Sequence, residues 1–144
     1  MNTENTINWK NAIIAGAIGT LLFDIVGRLI TGQWFDIPTI LGAKTGLGFA
    51  YGMIGHYSNG ILLAILFAGI APSLFGPKWL RPLIFVTGEM VALVWLFMLP
   101  LLGAGIAGLD MSPMMPVITF VRHLAYALPL IFLIQYDPKE LLSK

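Results

Sequence analysis

The stretch Val117–Tyr136, VITFVRHLAYALPLIFLIQY, constrains the chain more than any other. A helix of about 20 apolar residues, rising about 1.5 Å per residue, matches the thickness of a bilayer core. Inside this one stands the adjacent pair Arg122–His123. Lipid does not tolerate a guanidinium and an imidazole facing outward, so partner helices must enclose them. Three further apolar runs supply such partners, and one of them holds the other histidine, His56.

Composition agrees with a membrane protein. Of 144 residues, 58% are hydrophobic and 10% charged, with a mean hydropathy of +0.86. A soluble domain carries about 25% charged residues. The net charge of +1 gives no basic footprint for nucleic acid. The chain has no cysteine, which removes disulfides, thiolate ligands and cysteine nucleophiles. The leading segment MNTENTINWK, with Glu4 and Lys10, lacks the basic region and small-residue cleavage site of a signal peptide. The first apolar run is therefore expected to remain as a helix.

The hydropathy pattern predicts an all-α fold of one transmembrane domain, residues 1–144: an antiparallel four-helix bundle with spans at about 12–30, 52–71, 83–102 and 117–136. Trp9 and Trp34 flank the first span as interfacial aromatics. Within it Ala12, Gly16, Thr20, Asp24 and Arg28 recur every four residues and share one face. Small residues allow close helix approach, and Asp24 precedes Arg28 by the spacing of a helical ion pair, so this face is expected to turn inward. In the second span Gly52, His56, Gly60, Ala64 and Ala68 form a similar row, with Asn59 one turn from the histidine. Between the two, Asp36 as N-cap and Pro38 in the first turn predict a short interfacial helix, about 37–43, broken by Gly42, Gly46 and Gly48. In the third span Glu89 falls near mid-membrane, and Pro100 is expected to kink the last turn. Pro129 lies mid-way along the fourth span, and Asp137–Pro138 stops it.

Lys10, Lys78, Arg81, Lys139 and Lys144 fall on one side of these spans. Lys44 falls on the other, while Arg28 and Arg122 lie within spans. Basic residues favour the cytoplasmic side, which predicts a multi-pass protein of the inner (plasma) membrane with both termini cytoplasmic.

Asp24, His56 and His123 come from three helices and fall at similar depth, roughly 6–10 Å below the outer surface. Three chemistries suit such a layer. Two histidines could ligate one haem b, with Arg28 or Arg122 near a propionate. Asp24, His56 and His123 could hold a transition metal through N and O ligands. Protons or ions could use the layer as a path, with Glu89 as the mid-membrane station. Met98, Met111, Met114 and Met115 invite a copper reading as well, although methionine is common filler at apolar surfaces. Each polar group also has a plain packing use: hydrogen-bonded histidines, an Asp24–Arg28 pair, and Glu89 as a neutral acid on a backbone carbonyl.

The segments FDIPTILG before span two, the histidine opening that span, MLPLLGAG at the end of span three and HLAYA in span four carry a likeness. Over about 11–136 the chain resembles a family of small bacterial four-helix membrane proteins, a domain of unknown function. The resemblance implies the same fold and points again to His56 and His123, without an activity to transfer.

There is no P-loop and no HExxH, and no Ser/His/Asp arrangement with a soluble pocket, which argues against a stand-alone enzyme. The reading reached from sequence is a non-catalytic accessory or structural subunit. It would dock through its small-residue seams on other membrane subunits or on a second copy. A single-haem or metal-binding electron-transfer subunit and an oligomeric ion or small-solute carrier are the alternatives.

Overall fold

A computed structural model describes residues 7–136. It contains four helices long and apolar enough to cross a membrane: α1 (Trp9–Thr31), α3 (Gly48–Ile70), α4 (Leu80–Leu101) and α5 (Met115–Leu133). The short helix α2 (Asp36–Thr45) lies between the first two. The all-α class and the four-span bundle agree with the sequence reading. The tail Lys139–Lys144, the Asp137–Pro138 stop and Glu4 lie outside the described residues.

The helices do not pack in chain order. α1 is central, with α3 on one flank and α5 on the other, and α4 packs against α5. The small residues of α1 explain this. Ala12, Gly16, Thr20 and Asp24 turn inward, as their spacing predicts, and all are buried, with Gly16, Thr20 and Asp24 against α3. A Cβ on Gly16 would come within 2.6 Å of the Ile61 Cα, and one on Gly60 would overlap the Thr20 hydroxyl. A second row on α1, Ala15, Gly19, Phe23 and Gly27, faces α5. A Cβ on Gly19 would sit 2.7 Å from the Tyr126 ring. Tyr126 thereby reaches past α1 and donates from its hydroxyl to the Gly60 carbonyl of α3 at 2.5 Å. Gly16, Gly19 and Gly60 are thus used within the chain.

The end opposite α2 is closed by an apolar core that includes Ala64, Phe67, Phe85, Ala127 and Leu130. Beyond it Arg81 donates to the Gly76, Ala71 and Pro72 carbonyls, satisfying acceptors after the end of α3. Asn11 of α1 donates to the Leu133 carbonyl, and Tyr136 to that of Lys78, so the starts of α1 and α4 and the end of α5 share this end. The Tyr136 hydroxyl titrates above its ordinary range because burial disfavours the phenolate, against an opposing pull from Arg81.

Three local features differ from expectation. α3 begins at Gly48 instead of Gly52. Gly42 lies within α2, buried against the backbone of Gly48, while Gly46 ends the helix at φ +72°. In α4 the stretch Met90–Met98 is π-helical, with the Leu99 N–H bonded to the Val94 carbonyl five residues back. Such wide turns have no hydropathy signature and are common where a helix carries a functional residue. Glu89 stands immediately before this one.

Candidate functional site

The polar side chains gather at the α2 end of the bundle. α1 contributes Phe23 and Asp24, α2 Asp36, α3 His56, α4 Glu89 and Trp95, and α5 Thr119, Arg122 and His123. Asp24 is 1% exposed. Its Oδ1 lies 3.0 Å from His56 Nε2 and 3.9 Å from Arg122 Nη2. Its Oδ2 is buried with no hydrogen-bond partner among the described residues.

Arg122 is the hub. Nη1 and Nη2 donate to Asp36 Oδ2 and Oδ1, each at 2.7 Å, the parallel two-bond fork that a guanidinium forms with a carboxylate. Nε donates to the Phe23 carbonyl at 3.3 Å, and the guanidinium carbon lies 4.1 Å from the Phe23 ring centre. Gly27 makes this possible, since a Cβ there would fall 2.5 Å from Arg122 Cζ. Burial works against the charged form of Asp36. The hydrogen bonds and charge of Arg122, with the Ile37 N–H, outweigh it and hold the carboxyl below its ordinary range.

The Asp24–Arg28 pair expected from spacing does not form. Arg28 is exposed near the end of α1, and Arg122 stands near Asp24 instead. The i, i+4 spacing allows a pair only where both residues turn to one environment, and α1 turns Arg28 outward. Nor is Asp36 the N-cap of α2. That position belongs to Phe35, at φ +51°, and Asp36 is the first helical residue. Its side chain takes the Ile37 N–H at 2.8 Å and reaches across to Arg122. Asn59 is exposed and takes no part, as are Met111 and Met114.

His123 Nδ1 donates to the Thr119 carbonyl at 2.6 Å, while Nε2 lies 3.5 Å from Glu89 Oε1. The Thr119 hydroxyl in turn accepts from the Trp95 indole at 2.8 Å. Glu89 therefore sits beside His123 and not apart from the layer. The Phe23 ring packs against both imidazoles, with centres 5.6 Å from His56 and 5.1 Å from His123. The two histidines thus share a neighbour, and each lies beside its own carboxyl group. Among the described residues no three His, Asp or Glu side chains form a group that could hold a metal ion.

Of the residues singled out in the sequence, the structure brings Asp24, His56, His123, Glu89 and Arg122 together, and it adds Asp36, Phe23, Thr119 and Trp95, which had no such place in the sequence reading. The one available signal for Asp36 was Arg122 itself, a buried cation that requires an acid from somewhere in the chain.

No family model, curated protein or solved structure matches the chain. The likeness of FDIPTILG, MLPLLGAG and HLAYA to a bacterial family therefore assigns nothing, and the function rests on these residues.

Proposed function

We propose that this four-span protein is a proton-coupled membrane subunit. It takes up and releases protons at the carboxyl–imidazole pairs Asp24–His56 and Glu89–His123, working with other membrane subunits or a second copy of itself. One observation carries the reading: two such pairs lie at one end of the bundle, 3.0 Å and 3.5 Å across, with nearly buried side chains. Imidazole is the side chain suited to exchanging protons near neutral pH, and ionisable groups within spans mark proton and ion routes. The apolar core beneath the pairs favours exchange from the α2 end over an open channel.

Trp95 supplies a reporter, because it bonds to the residue whose carbonyl holds His123. In lipid vesicles, Trp95 fluorescence is taken as the difference between wild type and Trp95→Phe. It should change reversibly between about pH 5 and 8, the range of histidine charge change. Glu89→Gln should abolish or displace that change. A signal that is flat with pH would sink the proposal.

The basic residues favour an orientation with the start of α1 and the α3–α4 connection in the cytoplasm and α2 outside. Cysteines introduced at Lys10 and Lys78 should then resist a membrane-impermeant thiol reagent added from outside. Labelling at Lys78 would reverse the orientation.

A further inference from the structure

The two carboxyl–imidazole pairs differ in what their second ring nitrogen does. A neutral imidazole carries one N–H, and its other nitrogen has only a lone pair. In His123 the position of that N–H is fixed. Nδ1 faces the Thr119 carbonyl at 2.6 Å, and a carbonyl can only accept, so Nδ1 carries hydrogen. The nitrogen turned to Glu89 Oε1 is then Nε2, at 3.5 Å. With Glu89 ionised and His123 neutral, two lone pairs would face each other in a buried site. His56 is under no such constraint: its Nε2 can carry the single N–H of a neutral ring and donate to ionised Asp24.

From this geometry we infer that Glu89 and His123 hold one shared proton at neutral pH, whereas Asp24 and His56 need none. The proton lies between His123 Nε2 and Glu89 Oε1. It belongs either to Glu89, as a neutral carboxylic acid facing a neutral ring, or to His123, as an imidazolium facing a carboxylate 3.5 Å away. Both forms leave the pair with no net charge, which burial favours.

The surrounding groups are arranged accordingly. From α5 the fixed cation Arg122 turns to Asp36 of α2, with which it makes two bonds, and to Asp24 of α1. From α3 comes His56, across the Phe23 ring, with Tyr57 beside it. Tyr126 commits its hydroxyl to the Gly60 carbonyl. No cation among these contacts Glu89, so its charge is balanced by a proton or not at all. Thr119, oriented by Trp95, is the positioning residue that turns Nε2 toward Glu89.

This inference rests on the proton-coupled reading and names the group that carries the proton. The test is solid-state NMR of the full chain in vesicles at neutral pH, labelled with 15N-histidine and 13C-glutamate. The H56Q variant leaves His123 as the single histidine for assignment. Should H56Q not fold, signals lost in H123Q identify the same ring. Glu89 is identified by its loss in E89Q. The expected result is a protonated Nδ1 together with either a protonated Glu89 and bare Nε2, or an ionised Glu89 and protonated Nε2. A neutral His123 facing an ionised Glu89, or a pair carrying two protons, overturns the inference. The readings fail separately. A shared proton with no pH response at Trp95 would leave this inference standing and remove the proposed function. A pH response without the shared proton would do the reverse.

Discussion

Replacing Arg122 by alanine should destabilise the bundle by about 3–5 kcal/mol, the cost of stranding a buried charge by removing its partner. Two carboxylates lose by it. Asp36 loses both of its 2.7 Å bonds, and Asp24 loses its nearest fixed cation. Arg122→Lys should recover only part of the loss, because an ammonium cannot reproduce the planar fork. Reversible unfolding in detergent micelles measures the effect. A change below about 1 kcal/mol would place the pair among surface ion pairs. In the double variant with Asp36→Ala the loss should be smaller than the sum of the single losses, since the two residues act as one unit. The pH dependence has a definite sign. The folded Asp36 carboxyl is held below its ordinary range, so its contribution is full above the unfolded value of about 3.9. It is lost only as pH falls through the lower, folded value. The penalty of Arg122→Ala should thus be undiminished at neutral pH and shrink only in strong acid.

Gly52→Ala should be the most damaging of the small substitutions on α3. The added Cβ would overlap the Pro38 carbonyl of α2 and lie 3.0 Å from the Gly42 nitrogen. These are backbone atoms, so neither can rotate away and α2 must shift as a body. Overpacking costs about 1–3 kcal/mol, sometimes more, and here the shift would also loosen Asp36 from Arg122. Gly55→Ala is the matched control on the same helix, because its Cβ would meet nothing within 4 Å. It should be neutral or slightly stabilising, alanine being the better helix former. Equal effects at the two positions would show that α2 does not rest on Gly52.

The sequence disclosed what depends on local pattern. Apolar length located all four spans, and the four-residue row from Ala12 to Asp24 marked a face of α1 that turns inward. It did not disclose the second row, because Ala15, Gly19 and Gly27 are interrupted by Phe23. Its apolar ring gives no sign in the sequence of the Arg122 guanidinium and the two imidazoles packed against it. Asp36 was misread for a related reason. An acid two residues before Pro38 satisfies every local rule for a helix start, and nothing nearby signals a partner 86 residues away. Arg28 shows the converse: its spacing from Asp24 is correct, but three-dimensional packing turns it outward. Helix order was equally hidden, since α1 meets α3 and α5 through rows that spacing alone cannot assign to partners.

The central position of α1 has a consequence for how the protein is made. α1 precedes α5 in the chain, so its second face is covered only once α5 is in place. When α1 to α4 are in place, Asp24, Asp36 and Glu89 are all present, with His56 beside Asp24 and the Ile37 N–H on Asp36. Arg122 and His123 come together on α5. Asp24 and Asp36 precede their guanidinium in the chain and Glu89 precedes its imidazole, and α5 supplies both in two adjacent residues.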